Sequence, residues 1–73
     1  MSKQLTAPKK AVHKKLTSQE KLILKLVSKG CTNSDIADRL FISIETVKKH
    51  LQNCYRKLGA SNKIEALRKA GLI

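Results

Sequence analysis

One apolar stripe constrains the fold of this chain more than any other feature. Four residues follow at the spacing i, i+4, i+7 and i+11, which places their side chains on one face of an α-helix: Val47, Leu51, Cys54 and Leu58. Ser43 precedes the stripe, where a hydroxyl can cap the first free amides of a helix. Gly59 follows it and suits the left-handed residue that ends many helices. The sequence therefore predicts a helix at about residues 44–58 with one buried face.

Similar boundary residues predict a helix on the N-terminal side of this one. Thr17 and Glu20 have the spacing of a capping box, in which a hydroxyl caps the helix and a carboxylate three residues later reaches back. Gly30 stands where this helix should end. Its inward face is predicted to contain Glu20, Ile23, Leu24 and Val27, and its outward face Lys21, Lys25 and Lys29. The pattern is typical of an amphipathic helix.

Two shorter helices complete the predicted fold. Either Thr32 or Asn33 can cap a second helix, and Asn62 opens a last one in a variant of the capping box with Glu65. The inward residues of these helices would be Ile36, Ala37 and Leu40, then Ala66, Leu67 and Ala70, with Gly71 closing the last helix. No segment shows the alternation expected of a strand. We therefore predict an all-α fold of four helices.

The first fifteen residues differ in composition from the rest of the chain. They hold one proline, no acidic residue, and five lysines: Lys3, Lys9, Lys10, Lys14 and Lys15. We interpret residues 1–15 as a flexible basic arm or linker, which lacks the apolar residues needed to order it. Residues 16–73 are then one small domain, because 73 residues leave no room for a second core.

The charge of the chain indicates a polyanionic partner. Sixteen basic residues against five acidic ones give a net charge of +11, which favours nucleic acid first and an anionic membrane surface second. No apolar run approaches the roughly 20 residues of a membrane span, and aromatic residues are too few for a membrane-surface helix. The isolated Cys31 and Cys54 indicate a reducing, cytoplasmic location.

We expect the chain to bind no metal or cofactor and to have no enzymatic activity. His50 and Cys54 would share a helix face, but a zinc site needs three or four ligands, so packing is the better interpretation of both residues. For His50 we expect a buried position. The sequence contains no paired nucleophile and base, and no glycine-rich loop that could cradle a phosphate.

The second and third predicted helices are typical of a helix-turn-helix. Phe41 and Ile42 form a short break between them, and the small Ala37 allows the helices to approach closely. The outer face of the third helix then becomes free to enter a major groove. On this face Lys48, Lys49 and Gln52 can reach base edges, and Arg56 or Lys57 can meet phosphate.

Residues along most of the chain resemble the LuxR/FixJ-type (GerE-like) DNA-binding domain of bacterial transcription regulators. The resemblance covers Leu16 to Ala70, which is 55 of the 73 residues, and its most specific block is TVKKHLQNCYRKLGASNKIEA. Leu22 stands where that family usually has a polar residue. Leu22 and Leu26 could form a partner-facing patch or additional core, and we favour additional core.

The resemblance implies a four-helix domain that binds double-stranded DNA and regulates transcription, as an effector domain, often of a two-component system, or as a small stand-alone regulator. It implies base reading by Lys48, Lys49 and Gln52. It implies backbone contacts near Asn33, Thr46, Arg56, Lys57, Asn62 and Lys63. A homodimer through the fourth helix, formed mainly on DNA, and RNA polymerase are the implied protein partners.

Two other interpretations of the sequence stay open. One is a helical protein–protein interaction module whose basic face meets an acidic partner. The other is a module like region four of a sigma factor, which shares the helix-turn-helix but would not normally need the Gly59 stop and a fourth helix. Titration with duplex DNA at two salt concentrations separates DNA binding from the protein–protein interpretation.

Overall fold

The computed structural model describes residues 16–73, and the described residues form four α-helices and no strand. These are α1 (Ser18–Ser28), α2 (Asn33–Leu40), α3 (Ile44–Leu58) and α4 (Lys63–Lys69). The predicted all-α class and the bounds of the third helix are confirmed. The basic arm predicted for residues 1–15 lies outside the described residues.

Each helix begins at a side chain that caps its first free amides. Thr17 and Glu20 form the predicted capping box, in which the Glu20 amide donates to Thr17 Oγ1 at 3.1 Å and Thr17 N–H donates to Glu20 Oε1 at 2.9 Å. Thr32, not Asn33, caps α2, and Asp35 reaches back to the Thr32 amide at 2.9 Å. Ser43 caps α3.

The cap of α4 differs in one detail from the predicted capping box. Asn62 Oδ1 accepts from the Glu65 amide at 2.8 Å, as expected for an N-cap residue. The Glu65 carboxylate, however, accepts from the amide of Ser61 at 2.7 Å rather than from that of Asn62. The amide that donates to the Glu65 carboxylate is therefore one residue earlier than in the standard capping box.

All four helices end in the same way. At each end an amide donates to the carbonyl five residues earlier, across a residue in the left-handed region, as in a Schellman motif. The donor–acceptor pairs are Cys31 to Leu26, Ile42 to Ala37, Ala60 to Tyr55 and Leu72 to Leu67. The left-handed residue is glycine at three ends, and at the end of α2 it is Phe41, with φ of 57°.

The hydrophobic core lies around α3, which packs against each of the other three helices. Its predicted stripe is confirmed, because all four of its residues are buried. The remaining buried apolar residues come from the inward faces of the other helices: Ile23, Leu24, Ile36, Ala37, Ala66 and Leu67. The valine, leucine and isoleucine side chains of the core typically contribute about 1.5–3 kcal/mol each on burial. The core therefore holds α3 by one face and leaves the other face to solvent.

Leu22 is not part of this core, and the prediction that it adds to the core was wrong. Its side chain is 43% exposed, whereas Leu26 is half-buried and packs against the core as expected. At about 100° per residue, Leu22 lies about 200° around the axis of α1 from the buried Glu20. It therefore points away from the side that α2 and α3 cover.

Candidate nucleic-acid interface

The helices α2 and α3 and the turn between them have the predicted helix-turn-helix arrangement. Ile36 and Ala37 of α2 and Val47 of α3 are fully or almost fully buried. Leu40 and Ile42 pack against the same core from a half-buried position. These apolar contacts fix the position of α3 relative to α2, so the exposed side of α3 is presented on a rigid support.

Three predicted base-reading residues share the outward face of α3. Lys48, Lys49 and Gln52 are all exposed, and the buried Val47 and Leu51 lie on the opposite side of the helix. Within residues 16–73, none of these three side chains has a hydrogen-bond or ion-pair partner. Two cations and an amide are therefore available together on a helix that a major groove can admit.

Arg56 lies one turn further along this face and is held by a neighbour. Its Nη2 donates to Asn53 Oδ1 at 2.6 Å, and Arg56 is exposed. An arginine held in this way can present its remaining N–H groups to a phosphate. Asn53 was not among the predicted site residues, although its i, i+3 spacing from Arg56 on one helix face allows this contact.

Thr46 is fixed at the first turn of α3. Its amide donates to Ser43 Oγ at 3.1 Å, and the two hydroxyl oxygens lie 2.9 Å apart. Thr46 is half-buried. Its hydroxyl is therefore oriented by the cap residue of its own helix.

Lys57 differs from the other basic residues of α3, because its ammonium already has an anionic partner. Its Nζ lies 2.8 Å from Glu20 Oε1, and the side chains of Lys57 and Glu20 are 28% and 5% exposed. This ion pair joins α3 to the first turn of α1. A DNA phosphate at Lys57 would compete with the Glu20 carboxylate.

The surroundings of Glu20 also change the ionisation of two groups. Burial alone raises the pKa of Glu20, but the hydrogen bond and charge of Lys57 and the hydrogen bonds of Thr17 outweigh it, so the net pKa lies below its usual value. Beside it, the Cys54 thiol donates to the Glu20 carbonyl oxygen at 3.9 Å. Burial first, and then the Glu20 charge, raise the pKa of Cys54 to about 11.

The other predicted backbone-contact residues lie on different helices. Asn33 is the first residue of α2 and is half-buried. Asn62 and Lys63 are exposed at the start of α4, where the Asn62 side-chain oxygen serves as the cap. The structure thus brings Lys48, Lys49, Gln52 and Arg56 onto one face, whereas Asn33, Asn62 and Lys63 belong to the first turns of α2 and α4.

The described residues also bear on metal binding and on membrane insertion. No group of three or more histidine, cysteine, aspartate or glutamate side chains in this part of the chain could hold a metal ion. His50 is half-buried on α3 rather than fully buried as expected. None of the helices α1 to α4 is long and apolar enough to cross a membrane.

Comparison with known proteins gives a family with the same architecture. The GerE family model, which describes bacterial regulatory proteins of the luxR family, matches residues 14–70. The transcriptional regulatory protein LiaR of Bacillus subtilis is 44% identical over 54 residues, which are 74% of this chain and 26% of LiaR. The DNA-binding transcriptional activator DevR/DosR of Mycobacterium tuberculosis is 43% identical over 51 residues, 70% of this chain and 24% of the relative.

A longer relative matches over the same part of the chain. The HTH-type transcriptional regulator AlkS of Alcanivorax borkumensis is 40% identical over 57 residues, which are 78% of this chain and 6% of AlkS. The chain therefore spans about a quarter or less of the length of these relatives. The family is one of regulatory proteins and not of enzymes. Because the family model covers most of the chain and the four helices include a helix-turn-helix, this chain belongs to the LuxR family of bacterial regulatory proteins.

Proposed function

We propose that this chain binds double-stranded DNA with a sequence preference and thereby regulates transcription in the bacterial cytoplasm. The observation that supports this proposal is the outward face of α3, where Lys48, Lys49 and Gln52 are exposed and have no partner within the described residues. In this proposal α3 lies in the major groove, and these three side chains reach base edges.

The proposed backbone contacts come from α3 and from the first turns of α2 and α4. Arg56 is the best placed, since it is exposed and oriented by Asn53. Thr46, Asn33, Asn62 and Lys63 are proposed to contact the sugar–phosphate backbone from the first turns of their helices. Lys57 is proposed to contribute chiefly through its charge, because its ammonium is bound to Glu20.

Two steps test the proposal. Fragments that the chain retains from a pool of random duplex DNA should share a short motif, and binding to that motif should weaken as salt rises, because bound phosphates release counterions. A matched duplex with the motif scrambled is the control. Equal affinity for both duplexes would contradict sequence preference, and a salt-independent affinity would contradict phosphate contacts.

We also propose that two copies occupy a two-half-site operator. In α4 the residues Ala66 and Leu67 serve the core, so exposed Ile64 and Arg68 leave only a small surface for a second copy. Such a surface favours dimers that form mainly on DNA. RNA polymerase is the further partner that a transcription regulator of this kind would contact.

A further inference from the structure

A second basic surface lies on α1, on a different side of the domain from the outward face of α3. Lys21, Lys25 and Lys29 are four residues apart, all exposed, and no carboxylate of residues 16–73 lies within ion-pair distance of them. Like charges at i, i+4 on a helix repel and cost about 0.2–0.5 kcal/mol per pair. The row is therefore slightly unfavourable for the isolated helix.

Helix geometry shows that this row does not face a duplex bound at α3. Glu20 marks the side of α1 that touches α3, through its contacts with Lys57 and Cys54. At about 100° per residue, the three lysines lie about 100–180° around α1 from Glu20. Lys21 therefore lies at the side of α1, Lys25 and Lys29 lie on the side away from α3, and the outward face of α3 points away from α1.

An apolar cleft adjoins two of these three lysines. It has a volume of about 260 Å³ and is lined by Leu16, Leu24, Ala70 and Leu72, together with Lys21 and Lys25. This volume falls below the roughly 300–1,000 Å³ of typical small-molecule sites. It suits one bulky apolar side chain, whose neighbouring residues would lie beside the two ammonium groups.

Charge decides which occupant fits the cleft. The N-terminal residues 1–15 carry five lysines and no acidic residue, and a second copy of the chain carries a net charge of +11, so Lys21 and Lys25 would repel both. DNA could contact the lysines but has no apolar side chain to place against the half-buried Leu16 and Leu72. A protein segment with a leucine or phenylalanine flanked by carboxylates can fill the apolar cleft and pair with the two lysines.

We propose that the cleft between α1 and the C-terminal residues is a docking site for an acidic segment of a partner protein. The apolar side chain of this segment enters the cleft, and its carboxylates pair with Lys21 and Lys25. The surface is separate from the outward face of α3, so the partner and a DNA duplex can be bound together. This gives the domain a way to contact other proteins while it is on DNA.

The test uses a short helical peptide with leucines on one face and glutamates on the other, titrated into the full chain labelled with ¹⁵N. Chemical-shift changes should centre on Leu24, Lys25 and Leu72. Lys25→Glu should raise Kd about fivefold or more, because it replaces attraction with repulsion. Lys29→Glu is the matched control, with the same charge change one turn away from the cleft, and should change Kd less than about twofold.

Changes in the peptide keep the test independent of protein folding. Replacing its leucines with serine should abolish binding, and replacing its glutamates with lysine should do the same. Equal losses in Lys25→Glu and Lys29→Glu would overturn the proposal, as would undiminished binding of the serine peptide. Binding to vesicles of phosphatidylglycerol but not to the peptide would also overturn it and indicate a lipid surface instead.

Peptide binding and DNA binding can be measured separately in the same variant. Lys49→Ala should alter DNA preference and leave the peptide Kd unchanged, because Lys49 lies on α3, away from the cleft. Loss of peptide binding in that variant would contradict the separate surface. A chain that bound the peptide but no duplex would support the docking site and refute the proposed DNA binding.

Discussion

Phe41 has two locally unfavourable features, a left-handed backbone and an exposed aromatic ring. Its backbone is left-handed at φ of 57°, where most side chains are strained by about 1–2 kcal/mol, and its ring is 94% exposed. The equivalent residue at the other three helix ends is glycine, which adopts this conformation without strain.

Phe41→Gly should therefore stabilise the domain. We expect a gain of about 0.5–1 kcal/mol in the free energy of unfolding, since the relief of strain exceeds the greater flexibility of glycine in the unfolded chain. Phe41→Ala is the control, because alanine removes the ring and keeps the strain, and it should change stability little. Urea denaturation measures both, and equal stability of the two variants would show that backbone strain is not the cause.

Two residues on the outward face of α3 should have different effects on DNA binding. Lys49→Ala should cost about 1–3 kcal/mol at the preferred site and relax specificity, as expected for a base contact. Arg56→Ala should weaken binding to all sequences alike and reduce the salt slope by about one unit, as expected for a phosphate contact. Titrations of preferred and scrambled duplexes at several salt concentrations distinguish these patterns. Unchanged affinity and preference in both variants would show that α3 does not read DNA.

At the scale of the helices, the ion pair of Glu20 and Lys57 adds a polar link to the apolar contacts between α1 and α3. Glu20 is only 3% exposed and accepts hydrogen bonds from both the α1 cap residue and Lys57. One carboxylate therefore serves the start of α1 and its contact with α3 together.

Glu20→Gln should lower stability near neutral pH and not in acid. The substitution keeps the shape but replaces charge-assisted hydrogen bonds with weaker neutral ones, at a cost of about 1–2 kcal/mol. Because the folded state lowers the pKa of Glu20, the native chain has this stabilisation above the ordinary glutamate pKa of about 4.3 and loses it as the pH falls through the folded value.

Denaturation of both proteins across the acid range checks this dependence. The two curves should converge at low pH, where Glu20 is protonated. Glu45→Gln is the matched control, since Glu45 is exposed in the first turn of α3, and it should change stability by only a few tenths of a kcal/mol. A difference between Glu20→Gln and the native chain that is independent of pH would argue against the ion pair.

The helices were predictable because their determinants are local. Thr17, Ser43 and Asn62 cap helices within three residues of the amides they bind, so their roles follow from short patterns. The partner of Glu20 was not predictable in this way, because Lys57 lies 37 residues further along the chain. The exposure of Leu22 was not predictable either, because the packing of α1 against distant parts of the chain decides which side of α1 is covered.

The outward face of α3 was predictable from nearby residues, whereas the cleft beside Lys25 was not. The outward positions of Lys48, Lys49 and Gln52 follow from the apolar stripe of α3, because a helix fixes which side chains lie opposite that stripe. The cleft beside Lys25 depends on Leu24 and Leu72 coming together, and no short pattern encodes that contact.

At the scale of the whole molecule, we expect the exposed residues of α4 to form only a weak contact between two copies. Ile64 is 51% exposed, and we expect the surface around it to bury less than the roughly 1,000 Å² of a stable interface. The chain should therefore be mainly monomeric at micromolar concentration, while a palindromic duplex recruits two copies about one helical turn apart. Sedimentation equilibrium with and without the duplex measures this. A tight dimer without DNA, or one copy per palindrome at saturation, would contradict the model.

Cys54 of α3 is buried against α1, so its reaction with a thiol reagent can report on the opening of the domain. Its pKa of about 11 keeps it protonated at neutral pH, and the thiolate is the form that reacts with alkylating reagents. Cys31 is only half-buried, so it provides an internal reference in the same molecule. The rate at which Cys54 is alkylated, relative to Cys31, therefore reports how often α1 separates from α3 under native conditions.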